Sequence, residues 1–219
     1  YMNNKVISGL AINKEVRFFI GDTKELVQEV VNKNNAFPIA ATVLARCASI
    51  TGVMGLMMKG DQEITSIIES DGPLGKVISI ANPKGEVRSL VANPQLDMQL
   101  VDGHIDIGNS VGTIRNIKVI KDLKMKEPFV SETSIISGNI NLDFTYYFSY
   151  SEQSPTAISS GNTFNEDLSI KTAGVLVVQL LPGASSETIE ILEAKMKNLK
   201  PIENLLIDHS LEEILKIFF

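Results

Sequence analysis

The stretch from Phe37 to Met58, FPIAATVLARCASITGVMGLMM, is a 22-residue run in which Arg46 is the single charged side chain. It is long enough to cross a bilayer, which takes about 20 apolar residues. Arg46 falls near its middle, however, where insertion of an arginine costs about 2.5–3.5 kcal/mol. Pro38 is a good first-turn residue, and Gly52 and Gly55 fit a packed helix that ends or bends within the run. The run therefore predicts a buried helix of a soluble protein and no membrane span.

Such a helix needs a sizeable core around it, and 219 residues can provide one. A domain of this length buries roughly 70–75% of the surface its unfolded chain exposes. With 44% apolar and 21% charged residues the composition is that of an ordinary globular protein. The net charge is −6, and Lys and Arg are scattered, so no basic footprint for nucleic acid appears. Cys47 is the one cysteine, which rules out an intrachain disulfide or a CxxC-type zinc site within this sequence. The N-terminus lacks a basic-then-apolar signal pattern, so a cytoplasmic location is expected. Tyr1 before Met2 reads as a scar and is set aside.

Along the chain, residues 5–20 (KVISGLAINKEVRFFI) read as two strands around an Asn-Lys turn. Asp22-Thr23-Lys24-Glu25 has the form of a capping box, with Asp22 as N-cap, ahead of a helix carrying Leu26, Val27, Val30 and Val31. After the helix that starts at Pro38, Glu63–Glu69 is expected to be a strand. Lys76–Ala81 and Glu86–Ala92 form a hairpin through Asn82-Pro83-Lys84-Gly85, whose Asn, Pro and Gly suit a type I turn. Further strands are expected at 104–107, 111–120 and 133–136, a helix at Asn141–Tyr150, and strands at 156–160 and 168–181. Val175–Leu181 (VLVVQLL) is apolar on both faces except at Gln179, as in a central strand.

The composition changes after Leu181-Pro182-Gly183. Ser185-Ser186-Glu187 opens a helix with Ile189, Leu192, Met196 and Leu199 on one face, and Pro201 is expected to stop it. Ser210-Leu211-Glu212-Glu213 is a second capping box, followed by Leu211, Ile214, Leu215 and Phe218 at helical spacing. Ending in mid-helix on Ile-Phe-Phe, the chain reads as truncated.

No catalytic constellation emerges. Gly75-Lys76 is the nearest approach to a phosphate loop, yet Ser70 stands where the first Gly belongs and Val77 replaces the hydroxyl. Asp71-Gly72-Pro73-Leu74-Gly75 is more simply a tight turn. There is no Gly-x-Ser-x-Gly elbow. His104 and His209 read as solvated or hydrogen-bonded histidines, Cys47 as a small buried hydrophobe, and Glu212-Glu213 as a solvated helix face. Ser151-Glu152-Gln153 has no base beside it and precedes Pro155, so it reads as a helix end whose Glu and Gln tie down adjoining backbone.

Together the segments AATVLARCASITGVMGLMMKGDQEITSIIESDGPLGKVISIANPKGEVRSLVANP from Ala40, VIKDLKMKEPF from Val119, GNINLDFTYYFSYSEQSPTAI from Gly138 and AGVLVVQLLPGA from Ala173 resemble the heat shock protein 33 family. A helical end containing SLEEIL completes the match. Ser89, Ser131 and Val175 stand where that family usually has Gly. The resemblance implies an α+β fold with a largely antiparallel or mixed sheet core packed with helices, then a helical linker. Core and linker would be residues 1–183 and 184–219. It further implies an ATP-independent holdase, not an enzyme, that binds unfolding client proteins under heat or oxidative stress and can form a homodimer. In that family zinc and redox-active disulfides belong to a C-terminal four-cysteine region. No residue of this sequence receives a catalytic, cofactor or metal role. An oligomerisation module and a small-molecule enzyme are the alternatives, and aggregation suppression or substrate turnover would separate them.

Overall fold

The computed structural model describes residues 6–97, 100–101, 104–105, 107–112, 114–136 and 139–219. Its centre is the apolar run. Helix α2 spans Pro38–Leu56, and sixteen of its nineteen residues are buried. A helix apolar all round is stable only with neighbours on every side, and two sheets supply them.

The first sheet is four-stranded, in the order β1 (Val6–Ala11), β2 (Val16–Asp22), β11 (Ile170–Leu180), β10 (Thr156–Phe164). The second is five-stranded, in the order β5 (Val87–Val91), β4 (Val77–Ala81), β3 (Glu63–Ser70), β8 (Ile114–Asp122), β9 (Phe129–Ile136). Every pairing in both is antiparallel. A short pair, β6 (Leu100–Val101) and β7 (His104–Ile105), stands apart. One core joins α2 to Phe19, Val175 and Val177 of the first sheet and to Ile64, Ile68, Val77 and Ile117 of the second. The fold is α+β, as expected.

Two hydroxyls of α2 are matched inside this core: Ser49 bonds Thr23 at 2.8 Å and Thr51 bonds Ser66 at 2.7 Å. The helix ends within the run, at Leu56, and Gly55 lies in its last turn. A Cβ there would lie 2.7 Å from that of Ala81, so glycine lets the last turn of α2 meet β4. Ser89 and Val175 also settle without glycine: the Ser89 hydroxyl bonds Ser79 at 2.7 Å, and Val175 is fully buried.

Several expectations need correction. Helix α1 (Lys24–Asn34) has Thr23 at its N-cap, and the Thr23 hydroxyl is committed to Ser49 rather than to the helix. Asp22 instead accepts from the Lys24 amide, a local turn in place of a capping box. A short helix, α3 (Ile107–Val111), lies where strand was expected to start or end, and β9 begins at Phe129, four residues early. The expected strand at 104–107 includes residue 106, which lies outside the described residues. Helix α4 (Ile140–Tyr150) is capped by the Asn139 side chain. After α5 (Ser186–Asn198), Pro201 does more than stop a helix, because it is the N-cap of α6 (Ile202–Asp208), which precedes α7 (Leu211–Phe218).

Candidate functional site

Strand β11 is buried on both sides because two different layers use it. Val175 and Val177 belong to the α2 core, while Leu176 and Val178 belong to a second cluster. There they meet Val16 and Ile20 of β2 and Leu192, Ile202, Leu205, Ile214 and Phe218 of α5–α7. The C-terminal helices thus cover a continuous apolar face of the first sheet. Each fully buried side chain of this kind stabilises the contact by about 1.5–3 kcal/mol.

Close approach depends on two paired glycines. Gly161 of β10 lies opposite Gly174 of β11. A Cβ on Gly174 would come 2.4 Å from Leu206 Cδ1, and one on Gly161 would come 2.5 Å from the Glu203 carboxylate. Polar contacts fix each helix in place. Glu15, in the β1–β2 turn, accepts from the Ser185 amide at 3.2 Å, from the Ser185 hydroxyl at 2.9 Å and from the Thr188 hydroxyl. These bonds hold its carboxyl below the ordinary glutamate value of 4.5. On α6, the Ile202 amide donates to Ser159 Oγ at 3.2 Å and Thr172 Oγ1 donates to the Glu203 carbonyl at 2.7 Å. Lys195 Nζ of α5 donates to the Phe218 carbonyl of α7 at 2.7 Å, and Phe219 packs against Phe18 with ring centroids 5.1 Å apart.

Two open clefts interrupt the cover. One of about 390 Å³ lies between α5 and α7, bordered by Ala194, Leu199, Ile217 and Phe218. Another of about 200 Å³ separates α5 from the ends of β10 and β11, bordered by Ala157, Val178, Ile189 and Met196. Apolar atoms along these clefts meet solvent instead of protein, so their removal from water is incomplete. The face is apolar, covered and incompletely packed.

The segments tested for chemistry have other employments. In Asp71–Gly75 the Leu74 amide donates to the Ser110 carbonyl and the Gly75 amide to the Gly72 carbonyl, so these donors close a turn against α3. Lys76 pairs with Glu69 at 2.8 Å. Cys47 is 1% exposed on α2. His209 lies 3.3 Å from Glu213, whose amide is capped by Ser210. The side chain of His104 lies outside the described residues.

Ser151-Glu152-Gln153 does end a helix, though not as expected. Ser151 is the C-cap of α4 and Gln153 is left-handed, with φ 51°. Glu152 ties down side chains rather than backbone: it pairs with Lys121 of β8 and accepts from the Tyr147 hydroxyl at 2.6 Å. Burial pushes the Glu152 carboxyl up, but the bonds from Lys121 and Tyr147 outweigh it and hold the group low. Burial first, and then the bond to Glu152 and its charge, push the Tyr147 phenol up.

Sequence reasoning missed α6 and the long-range partners of two arginines. Arg46 of α2 has a buried Nε without a hydrogen-bond partner among the described residues, and burial lowers its pKa against the support of Glu203 on α6. Arg17 of β2 is held by Gln179 of β11, the residue that had stood out in VLVVQLL. The odd polar residue in an apolar strand was the available signal.

Among the described residues α2 is the one helix long and apolar enough to cross a membrane, and 89% of its most apolar window is buried inside the protein. No group of three or more His, Cys, Asp or Glu among the described residues could hold a metal ion.

Comparison with known proteins gives a consistent result. The model of the Hsp33 protein family matches residues 4–219. The 33 kDa chaperonins of Staphylococcus aureus strains Newman and USA300 are each 39% identical over 202 residues, covering 92% of this chain and 69% of their own. The crystal structure of the 33 kDa chaperonin (heat shock protein 33 homolog) from Thermotoga maritima superposes with a TM-score of 0.91 at 31% identity. That match covers 98% of this chain and 74% of the other. Sequence and fold agree: this chain belongs to the Hsp33 family of chaperones.

Proposed function

We propose that the chain is the core and linker of an ATP-independent holdase that captures unfolding proteins in the cytoplasm under heat or oxidative stress. In this reading residues 1–183 form the core and residues 184–219 a linker that leaves the sheet, and the protein can act as a homodimer. The observation that carries it is the apolar face of β2 and β11 beneath α5–α7. A covered apolar face that can be uncovered supplies what a non-native polypeptide needs, a surface for its own exposed apolar side chains. The family's four-cysteine zinc centre does not fit the residues of this chain, whose single cysteine is buried on α2. The proposal accordingly assigns zinc and disulfide chemistry to no residue here.

Light scattering by a heat-unfolding client, without nucleotide, tests the reading. The chain should suppress aggregation. Leu192→Asp combined with Ile214→Asp, which places two carboxylates in the covered cluster, should suppress it more strongly. If neither form protects the client while both stay folded, the holdase reading fails.

A further inference from the structure

We infer that the cleft where β2, β8 and the ends of α2 and α4 meet is a binding site for a small aliphatic carboxylate, with Arg17 as its anchor. This site lies away from the face covered by α5–α7 and stands independently of the holdase reading.

The cleft has a volume of about 220 Å³, bordered by Arg17, Met54, Met57, Lys121, Phe148 and Glu152 among others. Sites for drug-sized molecules run to roughly 300–1,000 Å³, so an occupant here has few heavy atoms. Gln179 is 2% exposed. Its Oε1 accepts from Arg17 Nε at 3.2 Å and Nη2 at 2.5 Å, and its Nε2 donates to Thr156 Oγ1 at 3.1 Å. Nη2 also approaches Met57 Sδ at 3.7 Å, and the guanidinium lies 5.6 Å from the centre of the Phe19 ring.

All of these partners are neutral. They orient the guanidinium and cancel none of its charge. Among the described residues no carboxylate pairs with Arg17, and Lys121, the other cation at the cleft, is already neutralised by Glu152. The cleft therefore presents one fixed and uncompensated positive charge.

A partly desolvated cation favours an anionic partner, and guanidinium geometry matches a carboxylate. Arg17 Nη1 has no hydrogen-bond partner among the described residues and is free to take part. Met54, Met57 and Phe148 offer an apolar wall to a short chain behind the head group. The Glu152 carboxylate borders the same cleft and repels a dianion such as phosphate more than a monoanion. The chemistry is that of a monoanion with a short apolar tail, whether a free acid or the terminal carboxylate of a polypeptide.

Methyl NMR of ¹³C-methionine-labelled protein reads the site through Met54 and Met57. Sodium butyrate should shift these signals saturably, and butyramide should bind about tenfold more weakly or worse, since it lacks the charge. Arg17→Gln should lose butyrate to a similar degree and Arg17→Lys should recover part of it, with circular dichroism reporting that both are folded. Acetyl-alanyl-valine and its amide identify the source: discrimination between them assigns polypeptide ends, while binding of butyrate alone assigns free acids. Butyramide or inorganic phosphate binding as well as butyrate, undiminished butyrate binding by folded Arg17→Gln, or no shift with either acid would each overturn the assignment.

Discussion

Glu15 is half-buried in the β1–β2 turn and accepts three hydrogen bonds from the start of α5. Those bonds exist only while α5 is docked, so the carboxyl titrates lower in the docked state than in the free one. A depressed pKa contributes stability above the undocked value, and that contribution fades as the pH falls through the docked value. Protection of α5 amides against hydrogen exchange should therefore decline as the pH drops from above 4.5, the ordinary glutamate value. Glu15→Gln should flatten this dependence. Glu152 makes a different kind of contact, part-buried between α4 and β8. Removing it by Glu152→Ala leaves the Lys121 ammonium and the Tyr147 hydroxyl without their shared acceptor. A loss of about 1–3 kcal/mol in urea denaturation is expected, the cost of leaving partly buried donors unsatisfied.

At the scale of elements, what could be read from the sequence followed how locally each signal is encoded. Pro38 opens α2, Asn82–Gly85 turns the hairpin with the Gly85 amide bonded to the Asn82 carbonyl at 3.1 Å, and Ser185 and Ser210 cap their helices. Each depends on residues within a few positions of one another. Helix α6 has only seven residues, and its place comes from Ile202 and Leu205 packing on β11 and β2, strands distant in sequence. Short helices have little intrinsic stability, so periodicity alone could not reveal it. Arg17 and Gln179 lie 162 residues apart, and only the β2–β11 pairing brings them together. That dependence on distant strands makes α6 vulnerable at one point. Gly174→Val would drive a branched side chain into Leu206 and Ile202 and lift α6 from the sheet. Faster amide exchange across 202–208, with the hairpin of β4 and β5 unchanged, is the expected outcome.

At the scale of the whole molecule, α2 is enclosed by two sheets while α5–α7 rest on one face of one sheet, beside open clefts. Local opening occurs where buried contacts are fewest. Hydrogen exchange should consequently find the amides of α5–α7 opening well before those of α2 and β11. Simultaneous exchange of both sets would show that the C-terminal helices are an inseparable part of the core.

Because β11 lies between these two layers, its side chains answer alternately to different demands. Val175 and Val177 pack in the α2 core, whereas Leu176 and Val178 pack beneath α5–α7. A scan of polar substitutions along the strand should produce a phenotype of period two. At 175 and 177 soluble protein should disappear from cells. At 176 and 178 the protein should persist and, on the proposed holdase function, protect clients without any stimulus, so neighbouring codons would report folding and restraint in turn.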